Sequence, residues 1–144
     1  MIAYLSEEVK IPLFPKRKIS AWIKQVSLLY GYKVGDVSYI FCSDKKILAI
    51  NQQYLQHDYY TDIITFDYTE NSHISGDIFI SLETVATNAQ KFKVSFQQEL
   101  YRVLIHGVLH LCGQADKTNE ERNEMTRKEN EALKILQQTI ENTL

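Results

Sequence analysis

Apolar positions along the chain recur with two different periods. Ile19, Trp22, Ile23, Val26, Leu29 and Tyr30 fall three and four apart, which predicts a helix with one apolar face. Pro15 stands near its start and Gly31 just past its end, the usual placement for both residues. Residues 1–5 read as a short strand and residues 37–42, VSYIFC, as another. Ile47, Leu48 and residues 51–55 suggest a short helix after it. Residues 62–68, DIITFDY, are rich in β-branched and aromatic types and predict a strand. The polar stretch 69–75 reads as a loop and residues 77–81 as a second strand, so 62–81 is expected to form a hairpin. A helix is expected over about residues 83–92. The next starts at Ser95, an N-cap type, and runs to Cys112, where Gly113 stops it. In the last segment Thr118 and Glu121 have capping-box spacing, and Met125, Ala132, Leu133, Leu136 and Ile140 supply an apolar stripe. Together these elements predict an α+β fold, a single domain whose one sheet is covered by helices.

Composition narrows the class. Apolar residues make up 44% and charged residues 24% of 144, the balance of a soluble globular domain. No apolar run reaches the roughly 20 residues of a membrane-spanning helix, and the start MIAYLSEEVK lacks the pattern of a secretory signal. Cys42 and Cys112 both lie in apolar stretches and read as reduced core residues, so the expected location is the cytoplasm. A net charge of −2 argues against a general polyanion binder. Lys16, Arg17, Lys18 and Lys24 nevertheless cluster near the start, and Glu120, Glu121, Glu124, Glu129 and Glu131 load the last segment. Both clusters are expected to be solvated helix faces, the alternative being a polarised surface.

One segment carries chemistry. Residues 104–113, LIHGVLHLCG, are apolar almost all round, yet hold His106 and His110 four apart, on one side of a helix. Two imidazoles in apolar surroundings need partners, and a shared metal ion satisfies both. After Gly113 the chain can turn sharply, and Asp116, six residues beyond His110, can fold back as a third ligand. Two histidines and one aspartate leave a coordination position open, which is the catalytic rather than the structural pattern. The alternative is a pair of hydrogen-bonded core histidines with Asp116 as a loop residue. Cys112 points to the far side of the helix and reads as core, and His57 and His73 read as surface loop residues. Gly107 stands where the zinc-protease pattern H-E-x-x-H has its general base, so no side chain there can take a proton. Glu99 and Arg102 lie earlier on the same helix. Either supports the site or faces substrate, or the two form an ordinary helix salt bridge.

Residues 106–113, HGVLHLCG, resemble the H-G-x-L-H-L-x-G signature of the bacterial YbeY family of zinc-dependent endoribonucleases. Residues 51–54 (NQQY), 61–66 (TDIITF), 76–81 (GDIFIS) and 99–100 (EL) resemble further blocks of that family in the same order, so the likeness spans about residues 39–130. Two positions differ from the common pattern: Asp116 stands in place of a third histidine, and Leu55 in place of an arginine. The resemblance implies a zincin-like fold with a mixed sheet of about four strands and a central metal-binding helix. It implies one zinc ion per chain, held by His106, His110 and Asp116, and hydrolysis of phosphodiester bonds in single-stranded RNA. It further implies a role in maturing the 3′ end of small-subunit rRNA and in ribosome quality control, with the ribosome or its small subunit as partner. Thr61, Asp62 and Asp77 are placed along the cleft by the same likeness, with turn or capping duty as the alternative for the two aspartates. Lys16, Arg17, Lys18, Arg102 and Lys117 are the charges available to RNA, and the nine Tyr and six Phe offer stacking surfaces, although most are expected in the core. No residue is assigned as the attacking group or its base. Two rival readings stand beside this one: a zinc-dependent peptidase, which Gly107 disfavours, and a non-catalytic ribosome-assembly factor with a mainly structural metal.

Overall fold

A computed structural model describes residues 1–55 and 61–142. In chain order the elements are β1 (Ile2–Ser6), α1 (Lys16–Leu29), β2 (Lys33–Cys42), α2 (Asp44–Ile50), a wide π-type turn (Asn51–Leu55), β3 (Ile63–Asp67), β4 (His73–Ser81), α3 (Leu82–Lys91), α4 (Phe96–Leu111) and α5 (Asn119–Asn142). The strands form one mixed sheet in the order β1-β2-β4-β3. β1 and β4 both run parallel to β2, and β3 pairs antiparallel with β4 as the expected hairpin. The α+β class, the mixed sheet and its helical cover are therefore as the sequence predicts. Among the described residues no helix is long and apolar enough to cross a membrane.

Strand alternation divides the interior. On one side of the sheet Val37, Tyr39, Phe41, Ile74, Ile78 and Ile80 pack with residues of α1, α4 and α5 in the main core. The other side carries a smaller cluster, where Cys42, Ile47, Ile50 and Ile64 meet Phe66 and Phe79 beneath α2. Two buried hydrogen bonds fix the layers: the Tyr39 hydroxyl donates to the Leu104 carbonyl at 2.8 Å, and the Trp22 indole donates to the Ala132 carbonyl at 2.7 Å. The first ties the sheet to α4 and the second ties α1 to α5.

Several boundaries differ from the sequence reading. β2 starts at Lys33 and β4 at His73, so the expected loop 69–75 shrinks. The reason is non-local: Lys33 pairs with His73 and Val34 with Ile74, across a bulge before Val37, and no local pattern announces that pairing. Asn71 and Ser72 make the reversal with positive φ angles of 51° and 62°. Asp77 is consequently the fifth residue of its strand rather than its start. On α1 the expected Leu29 is 62% exposed, while Ser27 is buried and its hydroxyl donates to the Ile23 carbonyl. The short helix expected around Ile47, Leu48 and residues 51–55 forms, as α2 followed directly by the wide turn Asn51–Leu55. The side chain of Ile140 lies outside the described residues.

Both caps expected for α4 and α5 form. Ser95 and Gln98 exchange side-chain-to-backbone hydrogen bonds of 3.1 and 2.9 Å, and Thr118 and Glu121 do the same at 3.1 and 2.9 Å. α4 then lies close against the sheet because Gly107 has no side chain. A Cβ there would sit 3.0 Å from Ile78 Cδ1 and 3.2 Å from Ile63 Cδ1. On β4, a Cβ at Gly76 would collide with the carbonyl oxygen of Phe66 on the paired strand. Side-chain tips can yield by tenths of an ångström, whereas a paired backbone cannot. Gly107→Ala is therefore expected to cost about 1–3 kcal/mol of stability, the usual range for overpacking. Gly76→Ala should cost more, and urea unfolding of the two variants in parallel checks the order.

Candidate metal centre

The site is built at the end of α4. His106 and His110 lie one turn apart, with ring centroids 4.6 Å apart and planes at 85°. The helix stops in a Schellman motif. Gly113 takes φ +92°, its N–H bonds the His110 carbonyl, and the Gln114 N–H reaches back to the Leu109 carbonyl, both at 2.9 Å. This reversal returns the chain over the two rings. It places the Gln114 carbonyl oxygen 2.8 Å from His110 Nδ1 and the Asp116 carboxylate in front of both imidazoles. Asp116 Oδ2 is 3.4 Å from His106 Nε2 and 3.3 Å from His110 Nε2.

Each ring is oriented from behind. A carbonyl oxygen only accepts, so His110 carries its proton on Nδ1 and turns the Nε2 lone pair toward Asp116. His106 is set the same way by Glu129, whose Oε2 lies 2.6 Å from its Nδ1. Glu129 comes from α5, is 6% exposed, and is held in turn by Arg102, whose guanidinium donates to its Oε1 at 2.9 Å. A second Arg102 nitrogen donates to Asn130 at 2.8 Å. Carboxylate or carbonyl partners on the far nitrogen are the usual support of metal-ligating histidines.

The donor set fits a metal ion. Ligand atoms from His106, His110 and Asp116 all lie within 4.8 Å of one another. Corners of a tetrahedron with bonds of about 2.0–2.1 Å are about 3.3–3.4 Å apart, which matches both Nε2–Oδ2 separations. A cavity of about 250 Å³ opens beside the group, lined by His110, Gly113, Gln114, Ala115, Asp116 and Lys117. Position 107 faces Ile78 and Ile63 of the sheet, so the buried side of the helix has no room for the acid of the zinc-protease pattern.

Charge around the site is uneven. Burial alone pulls the His106 imidazole down, but the hydrogen bond and charge of Glu129, joined by Asp62 and Asp116, outweigh it and raise its pKa above the ordinary value. Burial, and then the neighbouring His106, hold His110 below that value. Burial pushes the carboxyls of Asp62 and Glu99 up, with Arg102 offsetting part of the shift at Glu99.

The remaining candidates are scattered. Asp62 lies immediately before β3, its carbonyl accepting from the Ser81 N–H at 2.9 Å, and its charge is felt at His106. Thr61 turns its hydroxyl to the Ile63 carbonyl at 3.5 Å. Asp77 alternates onto the face of the sheet that carries Phe79, away from α4, and is not brought to the histidines. Arg102 pairs with Glu129 rather than with Glu99. Leu55, at the end of the wide turn, is 41% exposed. His73 opens β4 rather than lying in a loop, is exposed, and pairs its Nδ1 with the Asn71 carbonyl. His57 lies outside the described residues. Both cysteines are free thiols, with Cys42 pushed up to about 12 and Cys112 to about 11 by burial, so neither is a ready ligand. Lys16, Arg17, Lys18 and Lys24 are exposed on α1 as expected.

Glu129 is the residue that sequence reasoning missed. The acidic run of the last segment reads as a solvated face, and Glu120 and Glu131 are indeed exposed, whereas Glu129 is buried. The signal was present in its spacing: Met125, Glu129, Ala132 and Leu136 form one buried stripe, and a carboxylate on such a stripe needs a partner.

Two histidines one turn apart, a carboxylate closing on them and an open side form a group that could hold a metal ion, the donor pattern of metallohydrolases, on an α+β frame. The chain belongs to the YbeY family: the model of that family, described as endoribonuclease YbeY, matches residues 2–137. It is 60% identical over 135 residues to the endoribonuclease YbeY of Parabacteroides distasonis, covering 94% of this chain and 95% of that protein. With the protein of the same name from Bacteroides thetaiotaomicron it shares 55% identity over 132 residues, covering 92% and 96%. Its fold is similar to the solution structure of TM1509 from Thermotoga maritima, with a TM-score of 0.68 and 26% identity, covering 99% of this chain and 93% of that one.

Two expectations test this geometry. Glu129→Ala should weaken metal binding about 10–100-fold, the usual loss when the partner of a ligating histidine is removed. Glu129→Gln, which keeps a hydrogen bond but not the charge, should lose less, and competition with a chromogenic zinc chelator measures both. In the metal-free chain the His106 ring should titrate at higher pH than His110, and Glu129→Gln should bring it down, as read by imidazole NMR. The sign follows from linkage: a raised folded-state pKa gives stability that is full below the unfolded value of about 6.5 and is lost as pH rises through the folded one. Equal midpoints for the two rings would contradict the asymmetry.

Proposed function

We propose that this chain is a metal-dependent endoribonuclease acting on single-stranded RNA, with His106, His110 and Asp116 as the metal ligands. The observation that carries this reading is the convergence of two Nε2 atoms on one Asp116 oxygen at 3.3–3.4 Å, with both Nδ1 atoms already engaged. Membership of a family described as endoribonuclease supports the reaction class. Two imidazoles and a carboxylate suit zinc, one ion per chain, within a single catalytic domain. A bound divalent ion supplies Lewis acidity toward a phosphodiester oxygen and toward water.

The chain's own residues do the positioning. Glu129 and the Gln114 carbonyl hold the two imidazoles so that Nε2 faces outward. Asp116 closes the third side, and Lys117 on the rim of the same cavity offers a cation to the substrate phosphate. Asp62, near the His106 edge of the site, and Thr61 line the approach from β3. Arg102 acts through Glu129 in this reading and does not itself touch RNA. The resemblance to the family supports rRNA as the substrate, with the 3′ end of small-subunit rRNA as the processing site. It also supports a role in ribosome quality control, the small ribosomal subunit as partner and the cytoplasm as location. Asp77, on the opposite face of the sheet from the histidines, is better suited to that partner surface than to the cleft.

Elemental analysis of protein purified without added metal, run beside endonucleolytic cleavage of an end-labelled unstructured RNA, tests the reading. Near one zinc per chain is expected. His110→Ala and Asp116→Ala should lose both metal and cleavage, whereas Asp116→His should keep metal, because it supplies a third imidazole at the same place. Cleavage that persists in metal-free His110→Ala would overturn the proposal.

A further inference from the structure

A second cavity, of about 890 Å³, lies between α4 and α5 beside the metal centre. Its volume falls in the range of small-molecule sites, about 300–1,000 Å³. Phe92, Tyr101 and Leu133 give it apolar walls, and Glu99, Arg102 and Glu129 give it polar ones. The three charged groups are not equivalent. Glu129 is used by His106 and Arg102, and Arg102 is used by Glu129 and Asn130. Glu99 is only 4% exposed, and among the described residues its carboxylate makes neither a hydrogen bond nor an ion pair. Its oxygens reach the open cavity, since no buried side-chain oxygen among the described residues lacks a partner, and so they are accessible to water and can exchange it for the donors of a ligand.

From this we propose that the cavity is a nucleobase pocket for the RNA, and that Glu99 reads guanine. The inference rests on the endoribonuclease reading. Two oxygens of one carboxylate match two adjacent N–H donors on one edge, and guanine presents such a pair, N1–H and N2–H, on its Watson–Crick edge. Adenine and cytosine place an acceptor beside their amino donor, and uracil flanks its single donor with carbonyls. The cavity holds two carboxylates against one guanidinium, so a phosphate is repelled and a neutral base is not. A cationic side chain meets Arg102 beside its target, whereas a flat base meets apolar walls. Phe92, 56% exposed at the mouth, offers a stacking face of the kind used for single-stranded RNA. Glu129 forms a wall of this cavity and holds His106 with its other oxygen, so a base seated here lies one side chain away from the metal ligands.

Calorimetric titration of the full chain with the four ribonucleoside 5′-monophosphates tests the pocket. GMP should saturate it with at least a tenfold preference over AMP, CMP and UMP. Glu99→Gln should abolish the preference, because an amide replaces one acceptor with a donor. Phe92→Ala, at an exposed position that leaves the fold unchanged, should weaken binding of whichever base stacks there, and zinc content should stay the same in both variants. Equal binding of all four nucleotides, no saturable binding of GMP, or GMP binding unchanged in both variants would overturn the proposal. Spermidine or arginine amide binding in place of GMP would overturn it too and assign the cavity to a cation. RNA cleavage is scored separately: efficient cleavage without GMP binding removes the pocket and leaves the nuclease, whereas GMP binding without any metal-dependent cleavage keeps the pocket and removes the nuclease.

Discussion

The 2.6 Å hydrogen bond between His106 and Glu129 is the contact on which the site depends. It joins α4 to α5, fixes which imidazole nitrogen carries the proton, and explains why a carboxylate is tolerated at 6% exposure inside a helical interface. Arg102 completes the arrangement by neutralising the second oxygen. A buried acid so placed has no stabilising role as packing, and an apolar side chain would fill the stripe at less cost. Its presence is accounted for by the ring it holds.

The second constraint is the end of α4. A Schellman motif needs a residue with positive φ, and Gly113 supplies it without strain. The same turn performs two tasks. It brings a backbone carbonyl to the back of His110 and a carboxylate to the front of both rings. At His106 burial is outweighed by the hydrogen bond and charge of Glu129, which raise the proton affinity, whereas at His110 burial and the neighbouring His106 outweigh the carbonyl behind it and lower it. The close seat of α4 on the sheet, permitted by Gly107, holds this assembly against β3 and β4.

How much of this was legible in the sequence follows the range of each interaction. The apolar periods of α1 and α5, the apolar run of α4, the Ser95 cap and the Thr118–Glu121 capping box were readable because they are set by neighbours within one or two turns. So were the histidine spacing and the glycine that turns the chain toward Asp116. The start of β4 was not, because its first residues are strand only by pairing with β2, some forty positions away. The exposure of Leu29 and the burial of Ser27 also depend on what α1 packs against, which the helix pattern alone does not contain.

The candidate site divides in the same way. His106, His110 and Asp116 lie within eleven consecutive residues, so sequence spacing and one turn motif bring them together. Glu129 lies twenty-three residues from His106 on another helix, and Asp77 looks like a cleft residue until strand alternation turns it to the other face. Sequence by itself determined the His106, His110 and Asp116 group that could hold a metal, the helix that carries its histidines and the class of fold, since these follow from local periodicity and turn chemistry. Tertiary structure alone decided which acid supports which histidine, which face of the sheet each aspartate occupies, and that Glu99 opens into a cavity, because each depends on how separate elements pack.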